Sequence, residues 1–295
     1  MRVQDGGLGS TRDLMQAVKQ LDELPAMPAI AQKLLELPLD TEEGERELML
    51  LIEQDPLISA KIIGLANTPL LGTARKVHTV RDGAMLLGMS RVRSIATGIA
   101  IMSHVRELPG GHFKVADLWL HSMGVAFVML SIARAMPAAK RFEDDHVFLA
   151  GLLHDIGYLA LAFVDPARSD KLHKQLITEP NRLMLDIERE LLGSNHAELG
   201  AELARQWNLP EDIVEVVRYH HSPQLAQSEG GSELAKMVNL AEKLLPSFGI
   251  REHTEGEISR AEWLALGIDP AQAANIAGEA AGYAEQATLF VAALA

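Results

Sequence analysis

The residues best suited to chemistry meet at one step, His154-Asp155, set in the apolar run F-L-A-G-L-L-H-D-I-G-Y from Phe148 to Tyr158. An imidazole and a carboxylate side by side in apolar surroundings cost free energy unless each finds a partner, and a divalent cation would satisfy both. Alone, such a step reads first as a core histidine beside a capping or paired carboxylate, because helices contain many incidental His and Asp residues. The other histidines bear on the choice: of 11, nine lie between His104 and His221.

Four more stand at helical positions. His121 falls in the apolar stretch Leu118 to Met129, where a satisfied core histidine and a ligand are both admissible. His196 sits in a predicted first turn, where the helix dipole disfavours an imidazolium but not a neutral, metal-bound ring. His220 and His221 close a predicted helix, where capping of carbonyls is a sufficient reading of the pair by itself. Taken together, the series His, His-Asp, His, His-His comes from different predicted helices. A bundle can aim such groups at one point and hold one or two cations with nitrogen and oxygen ligands. Such a site would generate a hydroxide for in-line attack on a phosphate.

Composition narrows the chemistry further. The absence of cysteine excludes disulfides, thiolate catalysis and cysteine-ligated metals, leaving His, Asp and Glu as ligands. A formal net charge of -13 argues against a broad phosphate-backbone footprint, so direct nucleic-acid binding is disfavoured. With 48% hydrophobic residues and a mean hydropathy of +0.07, the 295-residue chain reads as globular, large enough for one domain or two lobes. No charge-free apolar run reaches the roughly 18 residues of a membrane span, and the first residues lack a signal-peptide core. The expectation is a soluble, cytoplasmic protein.

The elements that must position these groups are all helices: apolar residues recur every three to four positions, and alternating β-branched runs are missing. Caps and breakers predict helices from Thr11 to Glu23, from Pro28, from Gly44 to Gln54, from Asp55-Pro56 to Asn67, from Thr79 to Leu87 and from Ser90 to His104. Thr68 to His78 reads as a loop. Pro109, Gly110 and Gly111 mark a lobe boundary in Glu107 to His112. Longer helices follow: Val115 to Ala135, Asp145 to Val164 ended by Asp165-Pro166, Asn181 to Leu192, Asn195 to Trp207, Pro210 to His220, and Ser232 to Leu245. Ser259 with Glu262 caps another, and an Ala-rich helix from Pro270 to Leu294 ends the chain. The expected organisation is all-α: an N-terminal helical lobe over 1–112, a helical lobe with the candidate metal site over 113–246, and a helical extension over 247–295.

The motifs, in order, resemble one branch of the HD superfamily of metal-dependent phosphohydrolases, the HD-related output domain or HDOD family. They are L-P-A-M-P at Leu24 to Pro28, I-E-Q-D-P-L-I-S-A-K at Ile52 to Lys61, L-A-N at Leu65 to Asn67, and V-H-T-V-R-D-G-A-M-L-L-G at Val77 to Gly88. L-W-L-H-S at Leu118 to Ser122, G-L-L-H-D-I-G at Gly151 to Gly157, H-A-E-L-G-A-E-L at His196 to Leu203 and W-N-L-P at Trp207 to Pro210 continue the series. The resemblance covers roughly residues 20–245. It implies the two-lobe fold and a bacterial signalling role exercised through partner proteins. Against the related HD-GYP phosphodiesterases, it places His121, His154, Asp155, His196, His220 and His221 as ligands of one or two divalent ions, Fe, Mn, Zn or Mg. His154 and Asp155 would then be central to any phosphohydrolase activity on a phosphorylated ligand such as a nucleotide or cyclic nucleotide.

Three departures weigh against catalysis. Tyr158 stands where those enzymes carry a phosphate-facing Lys. No G-Y-P element follows His221. Glu242 stands in place of the late Asp ligand, with a longer arm to reach the site. No receiver, kinase or cyclase domain is evident in the 295 residues, so the input is expected from another chain or a small molecule.

Overall fold

The computed structural model describes residues 27–67, 76–103, 111–250 and 257–294, with side chains to Glu285. The predicted helix at Thr11 to Glu23 and most of the stretches Thr68 to His78 and Glu107 to His112 lie outside these residues. Among the described residues the fold is all-α, without a strand.

Helices α1 (Ala29–Glu36), α2 (Glu42–Gln54), α3 (Pro56–Ala66), α4 (Val80–Leu87) and α5 (Met89–Met102) form one lobe. Local chemistry fixes their ends. Thr41 caps α2 by accepting from the Gly44 amide, Asp55 accepts from the amides of Leu57 and Ile58 to start α3, and Thr79 accepts from Asp82 to start α4. Ser90 does not cap α5 as expected. Gly88, at φ 85°, ends α4 and precedes α5 at once, which leaves Ser90 inside the helix.

The second lobe consists of α6 (Val115–Ala135), α7 (Asp144–Leu153), α8 (Ile156–Val164), α9 (Pro166–Thr178), α10 (Met184–Leu192), α11 (His196–Gln206), α12 (Glu211–Tyr219) and α13 (Glu229–Leu244). The single helix expected over Asp145 to Val164 is two, broken at His154-Asp155. Asp155 leaves helical geometry at φ -104°, ψ 17°. Helix α9 was not foreseen. Asp165-Pro166 stops α8, but Asp165 also accepts from the Arg168 amide and so starts the next helix. Helix α10 begins at Met184, since the chain turns at Pro180 and Asn181, and α13 begins at Glu229 because Ser228 rather than Ser232 provides its cap. Beyond it, the expected Ser259–Glu262 capping box starts α14 (Arg260–Ala265), and α15 (Ala273–Leu294) closes the chain.

The core is continuous through both lobes. Helix α6 is the spine, packed against α7, α13 and α15, and α15 also reaches α3. Phe127 stacks on Tyr283, and the hydroxyls of Ser131 and Tyr283 hydrogen-bond at 3.2 Å. Among the described residues two stretches are long and apolar enough to cross a membrane, Val115–Ala135 and Asp144–Val164 taken through its break, and the sharply bent pair Val80–Leu87 and Met89–Met102 would be a third only if counted as one span. The apolar windows of the first two are 78% and 89% buried, so the core accounts for that composition. The lobes meet where α5 faces the start of α7. Arg91 pairs with Asp144 at 3.1 Å and Arg93 with Asp145 at 2.6 Å, while Ser94 donates to the Asp145 carbonyl.

Candidate metal centre

Two close crossings assemble the site, each at a glycine beside the His-Asp step. A Cβ on Gly151 would lie 2.6 Å from Ala126 Cα, so its absence lets α7 press against the backbone of α6, bringing His154 to His121. A Cβ on Gly157 would collide with the His196 carbonyl, so α8 meets the start of α11 backbone to backbone, with Gly200 on the other side. That contact sets His196 against Asp155. The same crossings fix the positions of the residues on either side of them, so the helix breaks between them.

All seven side chains singled out from the sequence come together. On one side of the Asp155 carboxylate, Oδ2 lies 3.4 Å from His121 Nε2 and 3.3 Å from His154 Nε2, and Glu242 Oε1 lies 3.4 Å from His154 Nε2. On the other side, Oδ1 lies 3.4 Å from His196 Nε2 and 3.6 Å from His220 Nε2. His221 Nε2 approaches His196 Nε2 at 3.1 Å. Two groups of ligand atoms, His121–His154–Asp155 and His196–His220–His221, each lie within 4.8 Å of one another. Asp155 therefore stands between them with one oxygen toward each.

The hydrogen bonds behind the rings determine what the rings offer. His154 Nδ1 is 2.7 Å from the Gly151 carbonyl, and His220 Nδ1 is 3.0 Å from the Val217 carbonyl. A carbonyl only accepts, so both Nδ1 atoms carry the proton and both Nε2 atoms turn a lone pair inward. His196 Nδ1 lies 2.8 and 2.9 Å from the two oxygens of Glu188, which fixes the same tautomer. Yet His196 Nε2 and His220 Nε2 are 3.1 Å apart. Lone pair facing lone pair beside a carboxylate is repulsive, and a cation between them turns the same geometry into a ligand set. Burial drives the His220 pKa well below its ordinary value, which keeps that imidazole neutral as metal binding requires. His154, Asp155, His196 and His220 are fully buried, and Glu242 is 5% exposed.

Glu188 was not anticipated. It is fully buried, accepts the His196 backbone amide at 3.0 Å as well as its ring, and so supplies an anion to the N-terminus of α11. A signal existed in the sequence: Glu188 falls on the apolar face of α10 with Met184, Ile187 and Leu192. Tyr158, at the position where the resemblance implies a Lys, is turned into the core. Its ring stacks on His196 with centroids 4.4 Å apart, its hydroxyl donates to Met184 Sδ at 3.0 Å, and it is fully buried. The donor set, imidazole and carboxylate without thiolate, suits divalent transition ions.

Comparison with known proteins gives one consistent answer. The family model described as HDOD domain matches residues 24–223. An uncharacterized protein of Treponema pallidum (strain Nichols) is 24% identical over 213 residues, 71% of this chain, which spans about 40% of that relative's length. Among solved structures, a signal-transduction candidate from Marinobacter aquaeolei superposes with a TM-score of 0.77 at 25% identity, over 96% of this chain and 65% of that one. An HDOD domain protein of unknown function from Geobacter sulfurreducens gives 0.67 at 26% identity over 96% and 92%. A phosphohydrolase candidate from Shewanella amazonensis gives 0.69 at 26% identity over 96% and 98%.

Proposed function

Since the chain belongs to the HDOD domain family, we propose that it is a metal-stabilised signal-transduction module that passes its signal by binding a partner protein rather than by turning over a substrate. His121, His154, Asp155 and Glu242 would hold one divalent ion, and Asp155, His196, His220 and His221 a second. Bound there, the ions supply Lewis acidity and neutralise the buried carboxylates. The observation that carries the reading is closure: the central ligands are fully buried and Tyr158 is stacked over His196, leaving a substrate phosphate little room to approach. The partner surface then lies elsewhere. Helices α2, α3 and α4, which pack on one another, carry the exposed apolar residues Leu50, Leu57, Met85 and Leu86.

A second reading has one observation in its favour. His221 is the ligand candidate that is only part-buried, so the ring of histidines has a side nearer to solvent from which a small phosphorylated ligand would reach the ions. Metal analysis of purified protein, together with a panel of nucleotides, cyclic dinucleotides and bis(p-nitrophenyl) phosphate, separates the two. The module reading expects bound divalent metal, a melting temperature lowered by chelation and no turnover. Turnover that His154→Ala abolishes in folded protein would replace it with the hydrolase reading.

A further inference from the structure

The two halves of the cluster do not offer the same donors. Around Asp155 Oδ2 stand two imidazoles, His121 and His154, and the Glu242 carboxylate at 3.4 Å from His154. Beside Asp155 Oδ1 stand His196 and His220, and His221 joins them with its Nε2 3.1 Å from that of His196. The first half is two nitrogens with two carboxylates, the second three nitrogens with one.

Glu188 widens this difference. Its carboxylate grips His196 Nδ1–H with both oxygens and the His196 amide with one, so the ring cannot rotate and its Nε2 becomes a stronger donor. Tyr158, stacked at 4.4 Å, holds the opposite constraint on the ring plane. His154 in the other half has the Gly151 carbonyl behind it, a neutral and weaker acceptor.

Resting on the reading that the cluster binds ions, we propose that the halves select different cations, with Glu188 as the positioning residue that sets the difference. The His196–His220–His221 half takes a nitrogen-preferring ion such as Zn2+. The His121–His154–Glu242 half takes an oxygen-tolerant ion such as Mn2+. Imidazole-rich sets favour later transition ions, whereas carboxylates lower the discrimination against manganese.

The test loads metal-free full-length protein with one equivalent of Zn2+ and an excess of Mn2+, removes unbound ions, and measures metal content and the Mn2+ electron paramagnetic resonance spectrum. The expected product holds one of each ion per chain, with the spectrum of isolated Mn2+. Coupled Mn2+ pairs in part of the population, with Zn2+ pairs in the rest, would overturn the selectivity. In Glu188→Ala the Zn2+ affinity should fall roughly 10- to 100-fold with Mn2+ retained, and Glu242→Ala should lose Mn2+ and keep Zn2+. Glu188→Gln, which preserves an acceptor for Nδ1–H, should recover part of the Zn2+ affinity and guards against a folding defect. Equal loss of both ions in Glu188→Gln and Glu188→Ala, or no loss in either, sinks the assignment. Wild-type protein that takes up neither ion defeats the metal reading itself, a different failure.

Discussion

The α-carbon of Gly157 rests directly on the carbonyl of His196, and any side chain at 157 would have to push the start of α11 away from Asp155. Gly157→Ala is therefore expected to destabilise the protein by about 1–3 kcal/mol through overpacking and to reduce bound metal with it. Urea unfolding and metal content measure the two effects together. Gly278, exposed on α15 with open space for 4 Å around the point where a methyl group would sit, is the control: Gly278→Ala should gain about 0.5–1 kcal/mol and leave the metal untouched.

The resemblance to HD-GYP phosphodiesterases implies a lysine at position 158, but the Tyr158 hydroxyl points at Met184 Sδ inside the core. Tyr158→Lys should not create phosphodiesterase activity, and should cost at least about 3 kcal/mol by burying an ammonium. Tyr158→Phe, which loses one weak hydrogen bond, should cost no more than about 1 kcal/mol. Activity appearing in the lysine variant would show that the side chain at 158 reaches a substrate phosphate after all.

His146, early in α7, lies 2.5 Å from Asp212 at the start of α12. The hydrogen bond to Asp212 raises the His146 pKa above 6.5 against the pull of burial, and the same bond lowers that of Asp212 below 3.8. The raised histidine contributes stability that is fully present below pH 6.5 and is lost as pH climbs through its folded pKa. The depressed carboxylate contributes stability present above pH 3.8 and lost as pH falls through its own. The pair is thus worth most between those limits. His146→Gln should cost about 0.5–1 kcal/mol near pH 5.5 and progressively less at alkaline pH. Melting temperatures of both proteins from pH 5 to 9 would expose a constant difference if the ion pair were irrelevant.

Between the lobes, Arg93 and Asp145 at 2.6 Å are each about one-fifth exposed. A double-mutant cycle of Arg93→Ala and Asp145→Ala should return a coupling of about 1 kcal/mol in low salt. At 1 M salt, where screening shortens the range of charge to about 3 Å, the coupling should shrink but persist, because the pair is partly shielded from solvent. A coupling of zero at both ionic strengths would mean the contact only accompanies the docking of α5 on α7.

Much of this architecture was legible residue by residue because its causes are local. Asp55-Pro56, Thr79 and the Ser259–Glu262 box are decided within four residues of sequence, so their helix starts could be placed before any contact was known. The His154-Asp155 step stood out because an imidazole and a carboxylate are costly in an apolar run, while the other five candidate ligands were assembled by their order along the chain and by the family resemblance. What escaped has causes outside the local window. The break at His154-Asp155 comes from crossings with α6 and α11, which a periodicity of apolar residues in one segment cannot report. Glu188 reaches His196 across the turn at Gly193, φ 66°, a relationship the apolar pattern of α10 does not report. Tyr158 was read from its place in a motif, whereas its direction is set by packing against Met184 and His196.

Four of the gathered side chains sit where helices stop or start: His154 after α7, Asp155 before α8, His196 first in α11 and His220 after α12. Helix ends ordinarily fray first and exchange their amide hydrogens with solvent in the shortest times. Here four of them are drawn into one cluster, so a single ion leaving would let several ends loosen together. The slowest-exchanging amides should include some at these termini, and metal loss should be visible as a collective gain of deuterium there before the middle of any helix responds.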